Sequence, residues 1–219
     1  MTSVDDQVKQ IGTYFSKVSK HFVADLEKFG LKKHTEYILN YFEVEEINGL
    51  NVLEMGCGIG GLLLKLLQMG AERAVGLDLS EEMIKNARSL AQSVGLSERI
   101  TFLQGDFNKE YSQLQVSPLD IIIADRVYCC SPVAFDILER TLSFHPQFVV
   151  IVLPRKNPLF RKLWDLKVGL RNFSWGVKRP TKSFYYPSRQ IINRCKEMGY
   201  SLRLQRFRYV WEVLIFKRG

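Results

Sequence analysis

No run in this 219-residue chain approaches the roughly 20 apolar residues that span a bilayer, so no membrane-crossing helix is expected. The opening Met-Thr-Ser-Val-Asp-Asp has neither a basic start nor an apolar stretch behind it, which argues against a signal peptide. The four cysteines (57, 129, 130 and 195) lack paired spacing, and no Cys/His cluster resembles a zinc site. Reduced thiols, no bound metal and a cytoplasmic location are therefore expected. Internal repeats, low-complexity segments and any linker marking a second domain are also missing. What remains suits one α/β domain with a sizeable core, 46% hydrophobic and 25% charged. A further scarcity is local: residues 151–219 hold only three acids against 17 Lys and Arg, whereas the first 150 hold 20 acids against 14 bases. A basic last third suits an anionic acceptor, RNA or an anionic membrane surface, and equally a solvated face.

The most informative stretch is residues 50–61, Leu-Asn-Val-Leu-Glu-Met-Gly-Cys-Gly-Ile-Gly-Gly. An apolar strand ends in Glu54, glycines crowd the turn, and Leu62 to Met69 reads as the helix behind it. Such a loop lets a nucleotide-like ligand touch backbone, since a Cβ would obstruct it or forbid positive φ. The spacing has two readings at this point. Gly56-x-Gly58-x-Gly60 suits S-adenosylmethionine (SAM), and Gly56-x-Gly58-x-x-Gly61 suits a dinucleotide.

Taken in order, residues 5–43 predict two amphipathic helices broken at Gly30, with Val8, Ile11, Phe15, Val18, Phe22 and Leu26 as one stripe. Tyr14, His21 and His34 are the polar-tipped residues of this arm. Strands are expected at 50–55, 73–78, 99–104, 119–125 and 147–153, with helices between them, which implies a parallel sheet covered on both faces. Ser80 is a good helix N-cap. Residues 155–186 interrupt this rhythm with nine bases, one acid and interleaved aromatics. Leu159, Leu163, Leu166 and Leu170 mark an amphipathic helix there. A helix at 188–198 and strands at 200–208 and 209–217 close the chain.

SAM needs an acceptor for its ammonium, a ribose clamp and an adenine pocket. Glu54 suits the methionine end, Asp78 the ribose diol and Asp106 the adenine amino group, with Phe107 and Leu79 as apolar faces. A dinucleotide has no ammonium, so Glu54 favours SAM. Val52-Leu-Glu-Met-Gly-Cys-Gly-Ile-Gly60, Gly76-Leu-Asp78, Gly105-Asp106-Phe107 and the terminal strand pair resemble a class I SAM-dependent methyltransferase. A narrower resemblance is carried by Tyr14-Phe15, Lys33-His34-Thr35, Asp125-Arg-Val-Tyr-Cys-Cys130, Leu153-Pro-Arg155, Phe184-x-x-Pro187 and Val210-Trp-Glu-Val213. It points to small bacterial methyltransferases similar to magnesium-protoporphyrin O-methyltransferase. The Asp-Arg-Val-Tyr-Cys-Cys segment departs from that porphyrin enzyme.

The resemblance implies a Rossmann-like fold, a mainly parallel seven-stranded sheet with helices on both faces and a C-terminal antiparallel pair. It implies one domain over 1–219, made of a helical arm or lid (1–47), a cofactor core (48–153), an acceptor-side lid (155–186) and the last helix and strand pair (187–219). Cofactor-binding candidates are Glu54, Gly56, Cys57, Gly58, Gly60, Asp78, Leu79, Met83, Gly105, Asp106, Phe107 and Asp125. Catalytic candidates are Asp125, Arg126 and Tyr128, after the fourth strand. Substrate-binding candidates are Tyr14, His34, Arg155, Phe160 and Trp164, with Lys156 and Arg161 as further attractors of an anion. Cys129 and Cys130 are expected to pack, since they lack the Pro-Cys context of RNA cytosine methyltransferases.

The acceptor expected is a small molecule, anionic and partly apolar, methylated on a carboxylate or hydroxyl oxygen. The alternative is an RNA methyltransferase or RNA-binding module using the basic 155–186 segment. A dinucleotide oxidoreductase ranks third, because no Tyr-x-x-x-Lys pair is present. The leucine stripe at 159–170 is compatible with peripheral membrane contact, although packing against the protein itself is the expectation for it.

Overall fold

A computed structural model describes residues 3–110, 118–155, 157–180 and 183–219; the side chains of Pro158, Phe160 and Arg161 fall outside that description. Seven strands form one sheet: β1 (Val52–Met55), β2 (Ala74–Asp78), β3 (Ile100–Gln104), β4 (Ile121–Asp125), β5 (Phe148–Pro154), β6 (Tyr200–Arg208) and β7 (Trp211–Arg218). Their order is β3-β2-β1-β4-β5-β7-β6. The first five run parallel and β7 pairs antiparallel with both β5 and β6. The expected fold class is thus observed.

The sheet is covered on both faces because its central strands β1, β4 and β5 are buried at every position and apolar at all but Glu54 and Asp125. Val52, Ile121, Ile123, Val150 and Val152 point into one hydrophobic layer, while Leu53, Met55, Ile122, Ala124, Val149 and Ile151 point into the other. Period-2 alternation divides a continuous apolar run between two cores. The order reverses beside β1, where β2 and β4 flank it, which opens a crevice at the strands' carboxyl ends.

Helix α1 (Val4–Phe29) starts at a capping box between Ser3 and Asp6 and lies against that crevice. A Cβ on Gly12 would sit 2.9 Å from the Leu79 carbonyl oxygen, so the helix touches the loop after β2 at its narrowest residue. Ser16 Oγ meets Ser80 Oγ at 2.9 Å. Helix α2 (Thr35–Val44) follows, with Ile38 and Phe42 fully buried. The remaining helices are α3 (Gly61–Gln68), α4 (Glu81–Ser93), α5 (Phe107–Glu110), α6 (Ala134–Ser143), α7 (Pro158–Ser174) and α8 (Ser188–Glu197). Ser80 caps α4 by accepting from Met83 N–H at 3.1 Å. Between β4 and α6, Tyr128–Cys130 turns in a 3-10 helix, and α6 begins at Ala134.

Two sequence expectations need correcting. The stripe Leu159, Leu163, Leu166 and Leu170 does not pack against the protein; each leucine of α7 stands 51–64% exposed. The inner face of α7 carries Trp164, Val168 and Asn172 instead, because the tryptophan finds a ring partner in Trp211 at 4.8 Å. Gly60 does not open the loop to a ligand. It takes φ 76° at the start of α3, and a Cβ there would fall 2.7 Å from the Phe102 ring. Gly60→Ala adds a left-handed Cβ and an overpacked contact, so a loss of about 2–4 kcal/mol is expected, read as a melting point lowered by about 5–10 °C.

Candidate active site

Three glycines shape the floor of the crevice. Gly56, Gly58 and Gly60 all have positive φ, between 55° and 76°. At Gly58 a Cβ would meet nothing within 4 Å, so here the backbone faces open space. Asp78 braces this turn from the end of β2: Oδ2 accepts from Gly58 N–H at 2.8 Å and Oδ1 from Ser80 N–H at 2.9 Å. Burial raises the Asp78 pKa, and these backbone donors partly counter it. Each oxygen keeps a second lone pair for a ligand. Asp106 accepts from Asn108 N–H at 3.0 Å at the start of α5 and lines the same cavity.

Glu54 is the most exacting residue. It is 3% exposed, and its Oε2 has no hydrogen-bond partner. Burial, followed by the charge of Asp125, raises its pKa well above the carboxylate range, and Arg126 only partly offsets them. A buried carboxylate in that condition is stabilised by a cation.

Asp125, at the end of β4, is held differently. His34 Nε2 lies 2.9 Å from its Oδ1, and Arg126 Nε donates to the same oxygen at 3.2 Å. Burial opposes its ionisation, yet the charges and hydrogen bonds of Arg126 and His34 outweigh burial and hold the carboxyl well below its usual range. Arg126 itself takes φ 60°, which is rare for a side chain of that size, and its N–H donates to Val152 C=O at 3.1 Å.

The cavity of about 250 Å³ runs from this acidic end to a basic one. Gly56, Cys57, Gly58, Leu79, Met83, Gly105 and Phe107 line it with Glu54, Asp78, Asp106 and Asp125. Further along stand Tyr14, Arg126, Cys130, Trp164, Val168, Arg171 and Arg179. Tyr14 ties α1 to α7 by donating to Asn172 Oδ1 at 2.8 Å. Arg171 stacks over Trp175 at 4.7 Å, and its Nε has no partner. Burial pulls its pKa down, Tyr14 resists, and the charges of Arg126 and Arg179 push it down further. Arg171 thus shares the cavity lining with two further guanidiniums.

Not every expected residue arrives there. Tyr128 is 1% exposed in the core with its hydroxyl unpartnered, and it does not line the cavity. The 3-10 turn at 128–130 aims it inward and presents Cys129 and Cys130 instead. The cysteines are accordingly more than packing: Arg179 Nη2 donates to Cys130 Sγ at 3.4 Å. A hydrogen bond with Cys129, and the charges of Arg179 and Arg126, hold the Cys130 thiol below its usual pKa despite burial. His34 does not line the cavity itself and meets the site through Asp125 and the Trp211 ring. Arg155 lies over the Phe207 ring at 4.6 Å, away from the cavity. Lys156 and the side chains of Phe160 and Arg161 lie outside the described residues.

Sequence reasoning missed Arg171 and Arg179. The i, i+4, i+7 spacing of Trp164, Val168 and Arg171 puts them on one helix face and was the available signal for the first. Arg179 sits in a loop and had none.

A family model described as a methyltransferase domain matches residues 47–159. Ribosomal protein L11 methyltransferase of Yersinia pestis is 33% identical over 100 residues, which is 44% of this chain and 32% of that protein. A sterol 24-C-methyltransferase of Gibberella zeae is 30% identical over 79 residues, 36% of this chain and 20% of its own. The chain therefore spans about a third or less of the length of these curated relatives. Among solved structures, magnesium protoporphyrin IX methyltransferase from Synechocystis PCC 6803 with bound SAH aligns with a TM-score of 0.74 at 18% identity, covering 95% of this chain and 98% of that one. The [4+2]-cyclase SpnF aligns at 0.69 with 13% identity and 97% of both chains, so likeness at this level speaks for the fold alone.

Proposed function

The chain belongs to the methyltransferase-domain family, and from that premise we propose that it binds SAM in this cavity and methylates a small anionic, partly apolar acceptor. The observation that carries the cofactor assignment is the buried Glu54 Oε2 without a partner, beside a glycine backbone open to ligand. An ammonium group answers that carboxylate, whereas a dinucleotide offers none. Asp78 receives ribose hydroxyls on its free lone pairs, and Asp106 an exocyclic amine. Bound there, SAM supplies a methyl group on a sulfonium that leaves as a neutral thioether.

The chain's own task is then alignment, since a good leaving group needs little further activation. Arg126, Arg171 and Arg179 hold an anionic group of the acceptor. An oxygen clamped by two guanidiniums is a poor nucleophile, so the held group is one other than the attacking atom. Trp164 and Val168 exclude water, which strengthens the attraction between an anionic oxygen and the cationic methyl donor. A carboxylate acceptor needs no general base; a hydroxyl needs one, and Asp125 is too acidic to serve well.

Calorimetry of the pure protein with SAH tests the reading, with micromolar binding expected; a well-folded sample without binding would refute it. Binding an ammonium favours ionised Glu54, whose pKa is raised in the free protein. Binding below that raised value must therefore release a proton and strengthen as pH rises. Repeating the titration in buffers of different ionisation enthalpy measures the release, and Glu54→Gln should abolish it. RNA as acceptor draws less support, because the exposed face of α7 is a strip of leucines with lysines only along its margins. No salt-dependent RNA affinity is expected even at low ionic strength.

A further inference from the structure

Helix α7 has two faces with different duties. Trp164, Val168 and Arg171 look into the cavity, while Leu159, Leu163, Leu166, Leu170 and Phe173 look away from the protein. At 100° per residue these five fall within about 80° of the helix circumference. The four leucines are 51–64% exposed and Phe173 is 87% exposed, an apolar strip about four turns long. Lys162 and Lys167, both exposed, flank the strip on opposite sides. The acid of this helix, Asp165, lies further round toward the core and accepts from Tyr185 Oη at 3.3 Å.

The helix that carries the strip has a neighbour on its inner face. Trp164 packs edge-on against Trp211 at 4.8 Å, and Trp211 opens β7 directly after the β6–β7 turn. The end of β6 and that turn expose Phe207 and Tyr209, accompanied by Arg206 and Arg208. Apolar side chains bordered by cations therefore recur on the adjoining element. Among the described residues no helix is long and apolar enough to cross a membrane, so this pattern suits lying on a surface rather than spanning it.

We propose that the outer face of α7 docks on an anionic lipid surface, with the leucines in the acyl boundary and Lys162 and Lys167 on the headgroups. The flanking charges choose among occupants. A second copy of this face would set lysines against lysines with no acid on the strip to answer them. Anionic headgroups supply the missing charge, and lysine stems reach them while covering apolar surface. Because the same helix walls the cavity, docking would bring the acceptor end of the site to the membrane, from which an amphiphilic acceptor can enter. The surface does not depend on which acceptor is used.

Flotation with vesicles tests it. Full-length protein should float with vesicles containing phosphatidylglycerol and not with pure phosphatidylcholine. Lys162→Glu with Lys167→Glu should weaken the partition by about fivefold or more per lysine. Leu163→Gln with Leu166→Gln should reduce it at least tenfold, with circular dichroism and SAH affinity unchanged. SAH affinity, measured without lipid, reads the methyltransferase assignment separately. Absence of flotation, flotation untouched by the leucine changes, or a dimer that the leucine changes dissociate would each overturn the proposal. RNA binding lost on the lysine changes, without vesicle binding, would overturn it as well.

Discussion

Asp78→Ala is expected to weaken SAM binding by about 100-fold or more, the largest effect of any single change at the cofactor end. The side chain does two things at once. It accepts from Gly58 and Ser80 N–H, which fixes the glycine turn and the entry to α4, and it keeps lone pairs for the ribose. Hydrogen bonds to a charged group contribute about 1.5–3 kcal/mol each, so losing the ribose contacts and part of the brace comes to a factor of about 100 or more. Asp78→Asn separates the two duties. It preserves shape and one acceptor oxygen while placing an N–H₂ where Gly58 or Ser80 must donate, so an intermediate loss is expected. Isothermal titration with SAH ranks the three proteins. Equal affinity for wild type and Asp78→Ala would remove the ribose role.

The second large effect concerns stability. Asp125→Ala leaves the buried His34 without its partner and the partly buried Arg126 without its carboxylate, and about 3–5 kcal/mol should be lost, measured by urea unfolding at neutral pH. The pH dependence follows from the direction of the shift. The folded pKa of Asp125 is depressed, so its contribution is complete above the unfolded value of about 4 and drains away as pH falls toward the lower folded value. The difference between wild type and Asp125→Asn should therefore shrink as unfolding is repeated at decreasing pH below about 4. A constant difference across that range would mean that the pair stabilises by packing rather than by charge. The strained φ of Arg126 fits this arrangement: the pair with Asp125 and the bond to Val152 hold a conformation that an unpaired arginine would leave.

Much of this was legible from the chain. The continuous apolar strands could only belong in a doubly covered parallel sheet, since any exposed face would leave isoleucines in water. The glycine spacing, Glu54 before it and Asp78 beyond it lie close in sequence to the turns they shape, so local chemistry was enough to find the cofactor end. Gly60 was the exception. It carries the same positive φ as its neighbours, but the atom that excludes a Cβ belongs to Phe102, some 40 residues away.

The acceptor end was a different matter. Arg155 was expected near the ligand as part of the basic 155–186 lid, yet the hairpin's Phe207 claims it. Arg171 enters the cavity because α7 turns its tryptophan inward onto Trp211 and its leucines out, and Arg179 reaches it from the loop behind that helix. A helical stripe of leucines has the same sequence signature whether it faces a core or the outside. The sequence by itself determined the sheet, the cofactor turn and the class of cofactor, because those rest on contacts within one strand–turn–helix unit and on period. Only the tertiary structure decided which face of α7 is buried, which cations surround the acceptor and that Tyr128 is withdrawn, because each depends on side chains from elements far apart in the chain competing for the same space.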